Sequence, residues 1–331
     1  MTKKHTCGEN CQHDKHNHHE NDPAQAAWMK QVLPDEIIPL TIPWKKLQTP
    51  YEKVLSSTAS KIQLDGFRHG KVPAHLAKEQ VDQQYLVRQV LPQVVGEFFA
   101  AALEKTKLAV VGEPEFAVTK SEEGQDWQIE VHLAVRPEIK FSDYKKELQK
   151  AKTEAEKKIT SEDLESVKKL NENAKKAGKE ESAKPLDKNR VQQMAIDQAL
   201  NVMHAKYAPG VNRLLVMRQA GQELEKLLDQ LKQFNLELET YLKNSGLTHE
   251  TLNEQILQSA LRNLQMEFLL EAIIEAEKIT ADPKRVEEKL ADLSPDADAE
   301  KKAELLKDAR TKTYLEMMVK RQALADWLMS L

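Results

Sequence analysis

The sequence is poor in aromatic residues, cysteine and long apolar runs. Aromatic side chains make up only 5% of the 331 residues, which disfavours an aromatic-lined pocket as the main feature. The two cysteines, Cys7 and Cys11, both lie near the N-terminus, so no disulfide supports a folded core, as is usual in a reducing cytoplasm. No apolar run approaches the roughly 20 residues needed to span a bilayer, and the first residues lack the apolar region of a signal peptide.

The sequence also lacks a recognisable catalytic motif. It has no Gly-rich phosphate loop, no nucleophile elbow and no helical His-Glu-x-x-His pair. The charges nearly balance, with 49 basic and 53 acidic residues, so contact with nucleic acid would need a local basic patch. These absences favour a protein that binds over one that catalyses, and no cofactor is predicted.

Composition and patterning divide the chain into four segments. Residues 1–34 are polar and His-rich and are predicted to be disordered. Residues 35–148 predict a small α+β domain, residues 149–190 a charged linker, and residues 191–331 a mostly α-helical domain. The predicted fold class is therefore an α+β domain followed by a helical domain, in an elongated multidomain arrangement.

Strand and helix signals fill in this outline. Two prolines confine the strand Ile37–Trp44 to a sheet edge. Strict alternation over Trp127–Val135 predicts a half-buried strand, paired in a hairpin with Glu115–Thr119. Cap residues followed by proline predict further helix starts, and glycine predicts one helix end. The signals are Thr49-Pro50, Pro73, Thr248, Asp282-Pro283 and Ser294-Pro295 for the starts, Pro92 for a kink or a division of its helix, and Ser245-Gly246 for the end.

The stretch GFRHGKVP combines two glycines and a proline with an aromatic and several basic side chains. The glycines permit a tight, projecting loop, cations can contact phosphate or an acidic surface, and Phe67 can anchor in a partner's pocket. A turn whose Phe67 packs into its own core, with the cations merely solvated, would explain the same residues. The candidate docking residues are Gly66, Phe67, Arg68, His69, Gly70, Lys71 and Pro73.

This stretch resembles the ribosome-docking signature of bacterial trigger factor, Gly-Phe-Arg-Xaa-Gly-Xaa-Xaa-Pro. VGEPEF, RPEIKFSDYK, YLKNSGLTHETLNEQI and LLEAIIEAEKI resemble other parts of the family in the same order. The resemblance implies an ATP-independent cytoplasmic chaperone that docks on the large ribosomal subunit at the tunnel exit, touching protein and rRNA, and shields nascent polypeptides. It leaves open a homodimer off the ribosome.

The sequence departs from the family in three places. His69 stands where lysine is common, which predicts a weaker, pH-dependent contact. The N-terminal tail is not part of the family pattern. The family usually carries a peptidyl-prolyl isomerase domain between its two ends, but between Lys140 and Gly210 the only aromatics are Phe141, Tyr144 and Tyr207. An isomerase pocket built on aromatic side chains cannot form there, so the prediction is a non-enzymatic trigger factor without this domain.

The tail carries potential ligands for zinc, nickel or copper, and a flexible tail that binds metal only adventitiously is the alternative. These ligands are His5, Cys7, Cys11, His13, His16, His18 and His19.

Adaptable side chains on the last helix, Leu315, Met318 and Met329, are the candidate client-binding residues, with ordinary helix-core packing as the alternative. A free cytoplasmic holdase and a metal-binding protein using the tail remain the rival functions.

Overall fold

The computed structural model describes residues 28–59, 61, 76, 81–176, 183–295 and 297–331. An α+β part comes first and a mostly helical part follows, which confirms this order of the predicted fold class, while the elongated arrangement stays a prediction. Both the docking stretch 66–73 and the metal-ligand candidates of the tail lie outside the described residues.

The N-terminal part is built on a three-stranded antiparallel sheet. Its strands are β2 (Glu36–Ile42), β3 (Val110–Lys120) and β4 (Trp127–Val135), in the order β2–β4–β3. The hairpin of β3 and β4 and the edge position of β2 are as the sequence predicts. Gly124 has a φ of +79°, so the turn between β3 and β4 needs a residue that tolerates the left-handed region.

Two helices cover the apolar face of this sheet. They are α1 (Trp44–Ala59) and α2 (Gln83–Thr106), and they pack on the alternating buried side chains of β4, which are Trp127, Ile129, Val131 and Leu133. Helix α1 begins at Trp44 and not after Thr49. The reason is a long-range cap, because Asp126 Oδ1 accepts a hydrogen bond from Trp44 N at 2.8 Å.

Helix α2 corrects the expectation that no segment is long and apolar enough for a membrane. Within the described part of the chain, α2 is the one helix that is long and apolar enough to cross a membrane, judged by length and composition only. The core helix of a globular protein passes the same test, and α2 packs Leu86, Val90 and Val95 into the N-terminal core. Helix α2 continues through Pro92, so the predicted division there is absent, and the predicted kink stays a prediction.

The segment predicted as a charged linker is mostly helix. Helix α3 (Tyr144–Lys176) packs antiparallel against α4 (Lys188–Tyr207), and Asp187 caps α4 by accepting from Arg190 N at 2.9 Å. Side chains four, three and four residues apart form the buried face of α3, and they are Leu148, Lys152, Ala155 and Ile159. The linker prediction is therefore corrected over residues 149–176 and 188–190, because a charged average composition conceals this narrow stripe.

The rest of the helical part contains six helices in the described residues. They are α5 (Arg213–Gln233), α6 (Leu238–Ser245), α7 (His249–Ala276), α8 (Pro283–Leu293), α9 (Ala299–Lys307) and α10 (Ala309–Ser330). Gly246 ends α6, and Thr248 and Asp282 cap α7 and α8, as predicted. The start predicted at Ser294-Pro295 is wrong, because α9 is capped by Asp298.

An N-terminal segment, residues 28–35, crosses from the helical part to the sheet. Its short strand β1 (Val32–Leu33) pairs in parallel with β5 (Val211–Asn212), which directly precedes α5. Trp28 and Val32 pack on an apolar cluster of the helical part. The disorder predicted for residues 1–34 is thus wrong for residues 28–34. These residues are held in place by contacts with residues almost 180 positions away in the sequence.

Candidate functional site

An open apolar groove lies between α4, α7 and α10 in the helical part. Its volume is about 520 Å³. Aliphatic side chains from all three helices contribute to its lining, namely Ile196, Leu200, Leu270, Ile274, Leu324 and Leu328. The groove is a place where the helices do not bury all of their apolar surface against one another, which is typical of an interaction site.

Methionines lie along the groove, and two of them are well exposed. Met317 and Met329 expose 39% and 36% of their surface, and Met266 is half-buried among the aliphatic residues. Methionine has an unbranched, polarizable side chain with three rotatable bonds, so it can repack around ligands of different shape. The groove can therefore accept varied apolar groups without a fixed pocket shape.

A charged ridge separates this groove from a neighbouring space, here called the junction cavity. The junction cavity has a volume of about 520 Å³ and lies between the sheet and the helical part. Its apolar walls carry Val110, Val111, Leu215, Leu264, Phe268 and Met317. Both spaces share Met317, Glu267 and Glu271, so they meet at this ridge.

Ion pairs across three elements hold the ridge together. Arg136, just after β4, donates to Glu271 at 3.1 Å and to Glu275 at 2.6 Å on α7. Arg321 on α10 pairs with Glu267 on α7. Burial raises the pKa of the Glu271 carboxyl, although the positive charge of Arg136 opposes the shift. The ridge thus joins the N-terminal part, α7 and α10 through partly desolvated charges.

A buried lysine fixes the end of α10, which forms one wall of the groove. Lys152 on α3 is only 6% exposed, and its Nζ donates to the backbone oxygens of Leu328 and Met329 at 3.0 Å each. A cation at a helix C-terminus satisfies free carbonyls and interacts favourably with the helix dipole. Lys152 therefore positions the last turn, which carries Leu328 and Met329 into the groove.

The predicted client-binding residues fall in three different environments. Met329 lines the groove, while Met318 lies half-buried on another side of α10, toward α8. Leu315 is only 1% exposed and packs with Val286, Leu290 and Val319 in a small core. We correct the prediction for Leu315 on this ground, because α8 and α9 cover the side of α10 from which it projects.

Sequence reasoning missed most of the groove. Met266 and Met317 carry the signal that could have pointed to it, since adaptable methionines on two helices are a recognisable feature. No local pattern marks Lys152, whose partners lie more than 170 residues away. Within the described ranges, no group of three or more His, Cys, Asp and Glu side chains could hold a metal ion.

Comparison with known proteins connects this architecture to one family. A family model described as bacterial trigger factor protein matches residues 35–170, and a second, for the trigger factor C-terminus, matches residues 166–330. The chain belongs to the trigger factor family. The two matches overlap at residues 166–170, and no prolyl isomerase family matches. The trigger factor N-terminal and C-terminal parts therefore follow one another directly here.

Individual relatives cover less of the chain. Trigger factor from Staphylococcus epidermidis is 29% identical over 130 residues, which is 39% of this chain and 30% of that protein. Trigger factor from Staphylococcus aureus is 28% identical over the same length. These matches thus span less than a third of the relatives' own length.

One solved structure also shares a partial likeness with the chain. It is described as "Promiscuous Substrate Recognition in Folding and Assembly Activities of the Trigger Factor Chaperone". It is 13% identical and covers 89% of this chain and 96% of its own, with a TM-score of 0.39.

Proposed function

We propose that this trigger factor is an ATP-independent cytoplasmic chaperone that holds unfolded segments of nascent chains in the methionine-lined groove. The observation that carries this proposal is the groove itself, an open apolar surface with exposed Met317 and Met329 at its edge. Binding there needs no bond to be made or broken and no nucleotide. Apolar client groups would leave water for the groove, and the methionines would adapt to their shape.

The charges around the groove also favour one class of client segment over another. Arg321 and Arg136 are engaged by carboxylates of α7, whereas Asp197 lines the groove with no ion pair among the described residues. An apolar segment with a nearby lysine or arginine would match this arrangement better than one with an acidic residue.

We also propose that residues 66–73 dock this protein on the large ribosomal subunit at the tunnel exit. The flanking structure supports this role, because α1 and α2 pack against each other and Tyr51 Oη donates to Gln83 Oε1 at 3.1 Å. The stretch therefore connects two anchored helices. Phe67, Arg68 and His69 would then make an apolar contact and cationic contacts with ribosomal protein and rRNA.

A free holdase is the second candidate function, and His69 is the observation that favours it. Histidine is mostly neutral at pH 7, so it contributes less positive charge to docking than lysine would. The groove does not require the ribosome in order to bind a client. Co-sedimentation of wild type and of a Phe67→Ala/Arg68→Ala/His69→Ala variant with ribosomes distinguishes the two candidates. Docking predicts that only wild type sediments, and equal sedimentation would contradict it.

The groove is tested by suppression of aggregation of a denatured client in the absence of nucleotide. We expect a Met317→Ser/Met329→Ser variant to protect at least several-fold less well than wild type. Met194→Ser is the matched control, because Met194 is 40% exposed on α4 and does not line the groove. Full protection by the double variant, with helicity unchanged, would place client binding elsewhere.

We further propose that the protein has no isomerase activity and needs no cofactor. The support is the direct succession of the two family matches, which leaves no stretch between them for an isomerase domain. The His/Cys residues of the tail would then bind zinc or nickel only adventitiously.

A further inference from the structure

The N-terminal segment, residues 28–35, is bonded to both halves of the molecule at once. On the helical side, Val211 N donates to Gln31 O at 2.8 Å, and β1 pairs with β5. On the sheet side, the segment continues directly into β2. The ridge of Arg136 with Glu271 and Glu275 also joins the halves, and Arg218 Nη2 donates to Glu113 O at 2.8 Å, so the segment is one of several connections between the sheet and the groove-bearing helices.

Buried polar groups of the helical part depend on this segment for partners. Gln265 on α7 is 2% exposed, and its Nε2 donates to Gln31 Oε1 at 2.7 Å and to Pro209 O at 2.8 Å. Asn212 is 6% exposed, and its Nδ2 donates to Pro34 O at 3.0 Å and to Leu133 O of β4 at 3.2 Å. Buried amides that lose a partner are costly, so these bonds favour the attached state of the segment.

Asp35 completes the connection at the point where the two halves meet. Its side chain is 4% exposed and accepts from Arg213 Nη2 at 2.6 Å and from Leu214 N at 3.1 Å. The same carboxylate lies 3.3 Å from Nδ1 of His132 on β4. One buried carboxylate thus links the N-terminus of α5 to the central strand of the sheet.

The apolar contacts of the segment are small by comparison. Trp28 is half-buried, Met29 is 55% exposed and Leu33 is 46% exposed. Leu33 nevertheless lies so close to Gly210 that an added Cβ there would come within 2.9 Å of its side chain. The strand pairing involves only two residues on each side. Specific bonding with little apolar burial is typical of a contact that can open locally without unfolding the regions it joins.

We propose that residues 28–35 act as a clasp that, together with the ridge, fixes the orientation of the sheet relative to the groove-bearing helices, and whose opening widens the range of orientations that the two halves adopt. The junction cavity lies between these halves and shares Met317 with the groove. The clasp therefore sets the width of the junction cavity, and through it the accessible apolar surface beside the groove.

The test measures the distance between the halves in the full-length chain. Cys7 and Cys11 are replaced by serine, and dyes are attached through Glu104→Cys on α2 and Lys226→Cys on α5, both exposed positions. The clasp variant is Trp28→Ala/Gln31→Ala. The control is Lys30→Ala, an exposed residue of the same segment. Single-molecule energy transfer and amide hydrogen exchange are measured on each protein.

We expect one narrow transfer distribution for the parent and for Lys30→Ala, and a broadened distribution for the clasp variant. Exchange at Val211 and Leu214 should accelerate about tenfold or more, while exchange at Ile129 of β4 and Ile273 of α7 stays unchanged. An unchanged distribution would overturn the clasp, as would equal acceleration at Ile273, which would make the segment part of the helical core. Asp35→Asn keeps the side-chain shape and provides the same readouts if the double variant does not fold.

Discussion

Removing the ammonium group of Lys152 tests how far one buried contact shapes the groove. A Lys152→Met substitution keeps most of the aliphatic stem but deletes both hydrogen bonds to the last turn of α10. A bond from a charged donor contributes about 1.5–3 kcal/mol, and a cation at a helix C-terminus about 0.3–2 kcal/mol. The buried charge itself costs several kcal/mol of desolvation, and the substitution recovers that cost.

The balance is decided by the carbonyl that loses its partner. Leu328 is 5% exposed, so its oxygen has little access to water once Lys152 is gone, which costs about 1–3 kcal/mol. Met329 is more exposed, and water can replace the lysine there. We therefore expect a net loss of about 2 kcal/mol in the local stability of the last turn, or roughly a 30-fold faster opening.

Hydrogen exchange over residues 320–331 measures this local opening directly. Lys157→Met is the matched control, because Lys157 is an exposed lysine on the same helix. Client protection should fall together with the faster exchange, since Leu328 and Met329 form part of the groove. If residues 320–331 of Lys152→Met exchange within about threefold of the rate in Lys157→Met, the reasoning is refuted. The free energy lost with the two hydrogen bonds would then be offset by the desolvation cost that the substitution removes.

Three further predictions follow from the site and the chain organisation. The fold raises the pKa of Glu271 above its ordinary 4.5. The stability that its neutral form contributes is therefore complete at low pH and is lost as the pH rises through the raised pKa. In urea unfolding, the free energy of unfolding of Glu271→Gln should thus increase relative to that of wild type from about pH 4.5 upward. A difference independent of pH would contradict the shift. The purified protein should not accelerate isomerisation of an X-Pro peptide bond, whose uncatalysed exchange takes tens of seconds or more, and acceleration that survives repurification would be the contrary result. Deletion of residues 1–22 should remove most zinc or nickel binding, measured by titration, and leave protection of clients unchanged. A loss of protection would make the tail a functional element.

The parts of the fold that depend on local patterns were predictable. Alternation along Trp127–Val135 gave β4, and Thr248 and Asp282 marked two helix starts correctly. Where a partner lies far away in sequence, local patterns fail. The start of α1 depends on Asp126, 82 residues away, and the order of residues 28–34 depends on β5.

The groove was harder to predict than the fold. A helical pattern identifies the apolar side chains of α10 but not which neighbouring helix covers each of them. Leu315 turned out to be covered by α8, whereas Met329 and Met317 remain exposed. The docking loop is the opposite case, since its seven candidate residues follow from the sequence alone and stay a prediction.

The hairpin of α3 and α4 has a consequence for how this chain could be lengthened. Asn171 Oδ1 accepts from Ala183 N at 3.1 Å, and Asn171 Nδ2 donates to Ala183 O at 3.1 Å. The chain therefore returns beside the C-terminal half of α3. Asp163 of α3 also fixes the residues before α4, because its carboxylate accepts a hydrogen bond from Leu186 N at 2.7 Å. Because the closure entropy of a longer connection grows only slowly with its length, a foreign module grafted between residues 176 and 183 would disturb neither helix. The molecule thus has an insertion point at which side-chain bonds of α3 already hold the returning chain.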